Sequence, residues 1–488
     1  MSGTGGEAVL FEVDEAAQPP RRKVPAGSAK TFRHYDQRQS FLLPPSLDDW
    51  LAEAHEARFI SEVVDELLDL SSIYDSYLVT DGAPPYDPKM MLKLLLYGYS
   101  TGVTSSREIE RRCEVDLAFR WLAANAAPDY RSISRFRRRH LGALDELFVK
   151  VLALCFEAGL VKLGRVALDG TKLRASASKH KAMSYDRLGP KIEQLEGEVA
   201  TILAEAEATD LAEDETFGTD HRGDEVPAEL ARRETRLQKM RAAKEAIEAD
   251  ARDKAATRAA KKAQREDKGD DEVAEAAARA AEKATPEGRS QRSFTDPAAR
   301  MMKTNDGFQY AYNAQGVVDE ASQVVLGIAV TQQASDVEQL TSMIEVMGTT
   351  LEAAGIEASP KVVLADAGYC SEANLEELDE LEINALVATG RIRRGERVSP
   401  APRGRMPKDL SRREKMARRL RTKAGRTDYA RRKAIVEPAF GQMKVRQHAG
   451  QLRLRGLEGA KGEWALHTIC HNLRKLAKVA NLAPLGVT

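Results

Sequence analysis

Arg165-Val166-Ala167-Leu168-Asp169-Gly170-Thr171-Lys172 interrupts a chain whose earlier apolar residues recur every three or four positions. Here they run consecutively and stop at a carboxylate. That change of period predicts a short buried strand at 165–170 ending in an acid. A second stretch of the same kind, Lys361-Val362-Val363-Leu364-Ala365-Asp366, predicts another. Around them the pattern places strands at Phe308 to Val318, Val324 to Thr331 and Ile383 to Ala388. Helices are expected at 336–353 and from about Ser371, with a last helix after a basic block. The order is therefore β, then ββ, then αβαβ, which predicts a mixed α/β sheet rather than a doubly wound one.

Working outward, residues 1–30 read as a disordered tail and 31–160 as a helical N-terminal domain. Leu47, Trp50 and Leu51, then Phe59, Val63, Val64, Leu67 and Leu68, have helical spacing. Asp87-Pro88 caps an apolar helix through Tyr99, and Ser105-Ser106 caps the next. In Asp129 to His140 the pattern turns Ile133, Phe136 and Leu141 inward and Arg135, Arg138 and Arg139 outward. Short helices before it with helix-turn-helix spacing favour a recognition helix whose guanidinium groups reach DNA. An ordinary solvated basic helix is the alternative.

Between the first two core strands lies an insertion at 180–300. Ile192, Leu195, Val199 and Ile202, and again Leu230, Leu237, Met240 and Ile247, have heptad-like spacing. Two antiparallel helices joined near 209–227 account for both runs; past Asp250 few large apolar residues remain, so that part is an exposed helix or disordered. The net charge of the chain is −1, yet Arg391 to Lys433 carries eighteen Lys or Arg against four acids, a local +14. Such a block suits a nucleic-acid surface; its composition equally allows a disordered basic linker.

The four cysteines form no CxxC pair, which argues against a disulfide framework or a ribbon-type zinc site. His467, Cys470 and His471 have i, i+3, i+4 spacing and could hold a metal on one face. The favoured reading is a helix packed by Leu466, Ile469 and Leu473. No apolar run approaches the roughly 18 residues of a membrane span, and the first thirty hold no apolar signal region, so a cytoplasmic protein is expected.

Asp169 and Asp366 carry the chemistry expected of the sheet. Two adjacent strands ending in Asp bring two carboxylates to one edge, where hard divalent cations bind through oxygen. A pair of such ions activates the attacking oxygen and stabilises the leaving one in phosphodiester displacement. The third acid is Glu437, in Ile435-Val436-Glu437-Pro438-Ala439-Phe440-Gly441-Gln442-Met443-Lys444, with Lys444 two turns on along the same helical face. One carboxylate after a strand is commonly a turn or cap; three in this order of elements are far more specific.

With these residues in view, the chain resembles a DDE-type bacterial insertion-sequence transposase with a helical transposase N-terminal domain, over about Phe41 to Leu476. Leu168-Asp169-Gly170-Thr171-Lys172 and Ala365-Asp366-Ala367-Gly368-Tyr369 match the segments of the first two acids. Tyr429, Arg432, Glu437 and Lys444 match a tyrosine–arginine–glutamate–lysine signature; Leu454-Arg455-Gly456 and His471-Asn472-Leu473 are similar to the closing region. One spacing departs: four residues, not three, separate Arg432 from Glu437, so Arg431 or Lys433 could take the arginine's part.

The resemblance implies a ribonuclease H-like α/β catalytic core with a mixed sheet at 161–476, after an all-α DNA-binding domain. The helical insertion follows the first core strand, and 477–488 is a tail. It further implies nicking at transposon ends and attack of the freed 3′ hydroxyl on target DNA. Asp169, Asp366 and Glu437 would hold two Mg²⁺ ions, with Lys172, Arg432 and Lys444 on double-stranded DNA. A homodimer would hold both ends, in the bacterial cytoplasm with the nucleoid. Two other readings remain open: a catalytically silent DNA-binding regulator, and a metal-dependent nuclease that cuts without joining.

Overall fold

The strands of the protein are β1 Arg165–Arg174, β2 Ala182–Ser184, β3 Gln291–Ser293, β4 Arg300–Thr304, β5 Gly307–Asp319, β6 Val325–Thr331, β7 Val362–Ala365 and β8 Ala385–Val387. They are seen in a computed structural model that describes residues 46–77, 85–178, 182–217, 228–266, 268–390, 399, 404–407 and 409–480. The expected tail at 1–30, most of the one at 477–488 and much of 391–408 lie outside these residues.

Six strands form one sheet in the order β4-β5-β1-β7-β8, with β6 also on β5. β5 is antiparallel to β1, β4 and β6, whereas β7 and β8 run parallel to β1. This is the mixed sheet expected. β4 and the small β2–β3 pair were not anticipated; three to five residues show too few alternations to register as strands.

One expectation needs correction. β1 does not end at Asp169 or Gly170 but runs to Arg174, and Asp169 lies in mid-strand. The reason is β5, thirteen residues long, which pairs with β1 from Val166↔Asp319 to Arg174↔Ala311. Only the parallel neighbour β7 stops short, at Ala365.

Among the described residues from Leu47 to Glu157 every regular element is a helix. Helix Pro88–Thr101 has Pro88 in its first turn and the Asp87 carboxylate accepting from Lys89 N, and it ends at Gly102 with φ +83°. Helix Tyr130–Arg139 is capped by Asp129, which accepts from Arg131 N and Ser132 N. Its Ile133 and Phe136 are buried while Arg135, Arg138 and Arg139 are exposed, as the pattern requires.

The last helix, Leu457–Ala480, packs against the helices Pro88–Thr101 and Ala143–Glu157 and against β6. It therefore has almost no solvent face from Gly459 to Leu473. Its Asn472 amide imitates a strand: Oδ1 accepts from Val325 N and Nδ2 donates to Val325 O, both at 2.9 Å. The open edge of β6 is satisfied in this way at Val325. Glu463, fully buried, accepts from Arg453 N, Leu454 N and the Tyr99 hydroxyl at 2.7, 2.8 and 3.1 Å. Tyr99 in turn accepts from Arg137 Nη1 at 2.7 Å.

His467, Cys470 and His471 share no common point. Cys470 Sγ donates to Leu96 O, His471 Nε2 meets Gln323 O, and the His467 ring lies against Tyr99. Burial pushes His467 down to about 3 and His471 down to about 4. In the unfolded chain both protonate near 6.5. The unfolded state thus gains protons first on acidification: the contribution is complete above about pH 6.5 and is lost below it. Between pH 7 and 5.5 the pair should cost about 2.5 kcal/mol of stability, the slope reaching ~1.4 kcal/mol per histidine per pH unit only below the unfolded pKa. Urea unfolding at both pH values, in wild type and His471→Asn, checks this. The variant should lose about half as much, and a wild type indifferent to pH would refute it.

The insertion forms two long helices, Tyr185–Phe217 and Ala228–Arg265, followed by Asp270–Glu282. Leu188, Ile192 and Leu195 pack on Leu237, Met240 and Ile247 in a core of their own. The contacts Tyr185–Glu248, Glu196–Arg241 and Glu198–Arg233 step backwards along the second helix, so the two run antiparallel. Asp270–Glu282 has no buried residue.

Candidate active site

The site lies where β7 ends beside β1. Their register, Arg165↔Val362 to Ala167↔Leu364, carried two residues further sets Asp366 next to Asp169. Asp366 opens the short turn Ala367–Tyr369, its Oδ1 accepting from Gly368 N at 2.7 Å. Burial pushes the Asp169 carboxyl up, Asp366 adds to the rise, and Arg432 opposes it. Arg432 Nη1 lies 3.0 Å from Asp169 Oδ2.

Arg432 comes from the helix Arg432–Arg446, which packs on β1 and β5. Gly316, paired with Asp169 across the strands, makes room for it: a Cβ there would stand 3.1 Å from the Phe440 ring. Phe440 packs edge-on against Trp464, whose indole N–H donates to Gln315 O at 3.1 Å. Pro438 lies inside this helix and leaves the Ala434 carbonyl without its usual N–H partner. Gln323 Nε2 supplies one at 3.1 Å.

The expected site residues are thus partly assembled. Asp169, Asp366 and Arg432 come together, and half-buried Lys444 feels the Asp169 charge while burial lowers its pKa. Arg432, expected on DNA, is buried on Asp169 despite the longer spacing; Arg431 instead pairs with Glu320 and Lys433 is exposed. Glu437 stands exposed on the same helix and is bonded to neither aspartate. Among the described residues no three His, Cys, Asp or Glu side chains stand close enough to hold a metal ion. The Asp169 and Asp366 oxygens are of the kind a hard cation takes, and Arg432 now holds the Asp169 charge for which such a cation would compete.

In the basic block, the described arginines largely serve the fold. Arg412 pairs with Glu376 and Asp379, Arg413 donates to Thr389 O, and Arg419 donates to Asn384 Oδ1. Charge counting alone does not separate such contacts from a free cationic surface.

Lys172 does not face open solvent but lies 3.1 Å from Asp336 Oδ1. Asp336 was read only as the start of a helix, and Asn313 and Gln315 as strand residues. Gln315 pairs with Gly170 and Asn313 with Lys172, so with Asp336 they gather on the sheet face opposite Asp169, and the Tyr369 hydroxyl on Gln315 joins them to the Asp366 turn. A signal was present in the sequence: Asn313 and Gln315 are polar residues two apart in an otherwise apolar stretch, hence on one face of the strand, and the structure buries both fully. Gly170 is enclosed by this group, and a Cβ there would meet Gln315 Nε2 at 2.5 Å and Asp336 Oδ1 at 2.8 Å. Gly170→Ala is therefore expected to destabilise the protein by ~1–3 kcal/mol through overpacking. An unchanged urea midpoint would show that the surrounding side chains yield freely.

Comparison with known proteins adds the family. A family model described as Transposase domain (DUF772) matches residues 45–139, and one described as Transposase DDE domain matches 283–473. Asp366 and Glu437 fall within the second match, and Asp169 within neither. No curated protein and no solved structure matches the chain. Such transposases have a ribonuclease H-like core, with which the mixed sheet is consistent. The chain belongs to the DDE transposases of insertion sequences, enzymes that cleave DNA and transfer its strands with divalent metal ions.

Proposed function

We propose that this transposase binds the ends of its insertion sequence, cleaves there and joins the freed 3′ ends to target DNA, with Mg²⁺ as cofactor. The observation that supports this most is the register that sets Asp169 beside Asp366, with a guanidinium against Asp169. Asp169, Asp366 and Glu437 are the residues to hold two ions, Glu437 coming in from the helix Arg432–Arg446. Divalent ions held there would supply activation of the attacking oxygen and stabilisation of the leaving one. The chain's own part is to align DNA. Arg432, released from Asp169, and the ammonium groups of Lys172 and Lys444 take the phosphates. Arg135, Arg138 and Arg139 on the helix Tyr130–Arg139 contact the element's end in double-stranded DNA. Residues 31–160 form the DNA-binding part, and a homodimer holds both ends together.

The test is an assay on labelled DNA carrying the element's ends plus a plasmid target, with Mg²⁺ or with chelator. Metal-dependent end cleavage and joined product are expected. End binding without cleavage would replace this reading with a silent regulator, and cleavage without joining would replace it with a nuclease.

A further inference from the structure

We propose that Asp336 is a positioning residue of the active site, holding Lys172 and Gln315 and, through Tyr369, the turn that presents Asp366. The inference rests on the proposed assignment of Asp366 as a metal-holding acid.

Asp336 precedes the helical segments Val337–Gln339 and Leu340–Ala353, where an aspartate ordinarily caps backbone N–H groups. Its side chain makes no such bond. It turns toward β1 and β5 instead, where Oδ1 accepts from Lys172 Nζ at 3.1 Å, Asn313 Nδ2 at 2.6 Å and Gln315 Nε2 at 2.9 Å. Three donors from two strands, one of them charged, meet on one oxygen.

This fixes which way the Gln315 amide faces. Its NH₂ group is committed to Asp336 and to Asn313 Oδ1 at 3.0 Å, so its carbonyl oxygen is left to accept from the Tyr369 hydroxyl. Without Asp336 the amide can turn over and present N–H to that hydroxyl, removing the acceptor. Tyr369 is fully buried and ends the turn that Asp366 begins. Asn374 ties the same parts together, donating to Val337 O at 2.6 Å and Tyr369 O at 2.8 Å. Gly368 lies between the two carboxylates: a Cβ there would stand 2.9 Å from Asp366 Oδ1 and 3.7 Å from Asp336 Oδ2. Groups that orient a ligand-bearing turn in this way typically change activity by about 10–100-fold.

The experiment compares wild type, Asp336→Ala, Asp336→Asn, Tyr369→Phe and the Asp336→Ala/Tyr369→Phe double variant. End binding, single-turnover cleavage across a Mg²⁺ titration, and metal-free hydrogen exchange at Ala367–Cys370 are measured. Asp336→Ala should cleave about 10–100-fold more slowly, need more Mg²⁺ for half-maximal rate, exchange faster in the turn, and bind ends nearly as well. Tyr369→Phe should do less, and should add little in the double variant. Asp336→Asn, which keeps one acceptor but no charge for Lys172, should fall between; it and Tyr369→Phe carry the test if Asp336→Ala does not fold. With an active wild type, unchanged exchange and Mg²⁺ dependence in these variants, or fully additive losses, would overturn the inference alone. A wild type that does not cleave, or an Asp366→Ala that does, would overturn the catalytic assignment beneath it.

Discussion

Asp169→Asn should reduce end cleavage by at least about 10³-fold, the scale on which loss of one member of a catalytic set is felt, while end binding stays within about threefold. The substitution preserves shape and an oxygen to accept from Gly170 N, a bond of 2.9 Å in the wild type. What it removes is the negative charge beside Asp366 and opposite Arg432. Two consequences separate. Cleavage fails for want of a ligand oxygen with full charge. Stability also falls, because Arg432, 7 % exposed, keeps its guanidinium in the site without a countercharge. Asp366→Asn leaves the Arg432–Asp169 pair intact and should lose cleavage with little change in unfolding midpoint. Gel-shift binding, single-turnover cleavage and urea unfolding of both variants decide the matter. Cleavage by Asp169→Asn within tenfold of wild type would remove Asp169 from the catalytic set, a result of particular weight because that residue lies outside both matched family segments.

The largest loss of stability is expected at Glu463. Its carboxylate is wholly buried, and burial pushes its pKa up against the opposing effect of Arg137. It nevertheless has three donors, the backbone N–H groups of Arg453 and Leu454 and the Tyr99 hydroxyl. Glu463→Ala strands all three and leaves buried Arg137 with a weakened electrostatic environment, a change that costs ~3–5 kcal/mol when a buried charge loses its partner. Glu463→Gln keeps an acceptor without the charge and should lose roughly half of that. Denaturant midpoints measure both; a shift below about 1 kcal/mol for the alanine variant would mean that water or a neighbour replaces the carboxylate.

Much of this arrangement was legible in the residues. Consecutive apolar runs at 166–168 and 362–365 marked two central strands, and the Asp129 cap with its inward Ile133 and Phe136 marked the basic helix. The extent of β1 was not legible, since Thr171 to Arg174 is polar enough to pass for a turn and becomes strand only through pairing with β5. Nor was the partner of Arg432: helical spacing gives a face, whereas the ion pair depends on how the helix lies over Gly316. Asp336 was hidden for a similar reason. A helix-start aspartate has the same local sequence whether it caps the helix or turns into a neighbouring strand, and only the placement of Lys172, Asn313 and Gln315 distinguishes the two.

The bonds that join Tyr99 to Glu463 and Leu96 to Cys470 span 364 and 374 residues of chain. A ribosome adding about 5–20 residues per second needs roughly 20–70 s to make that length. For most of this interval the helix Pro88–Thr101 is outside the exit tunnel, but the apolar surface that will cover it has not been made. Until then the helix's own apolar surface stays open to aggregation and to chaperones. An early stop codon or frameshift before residue 457 would also remove the whole closing helix, Leu457–Ala480. Such a product would lack the means to complete its core, so shortened translation products of the element should be cleared by proteolysis instead of persisting as competitors for its ends.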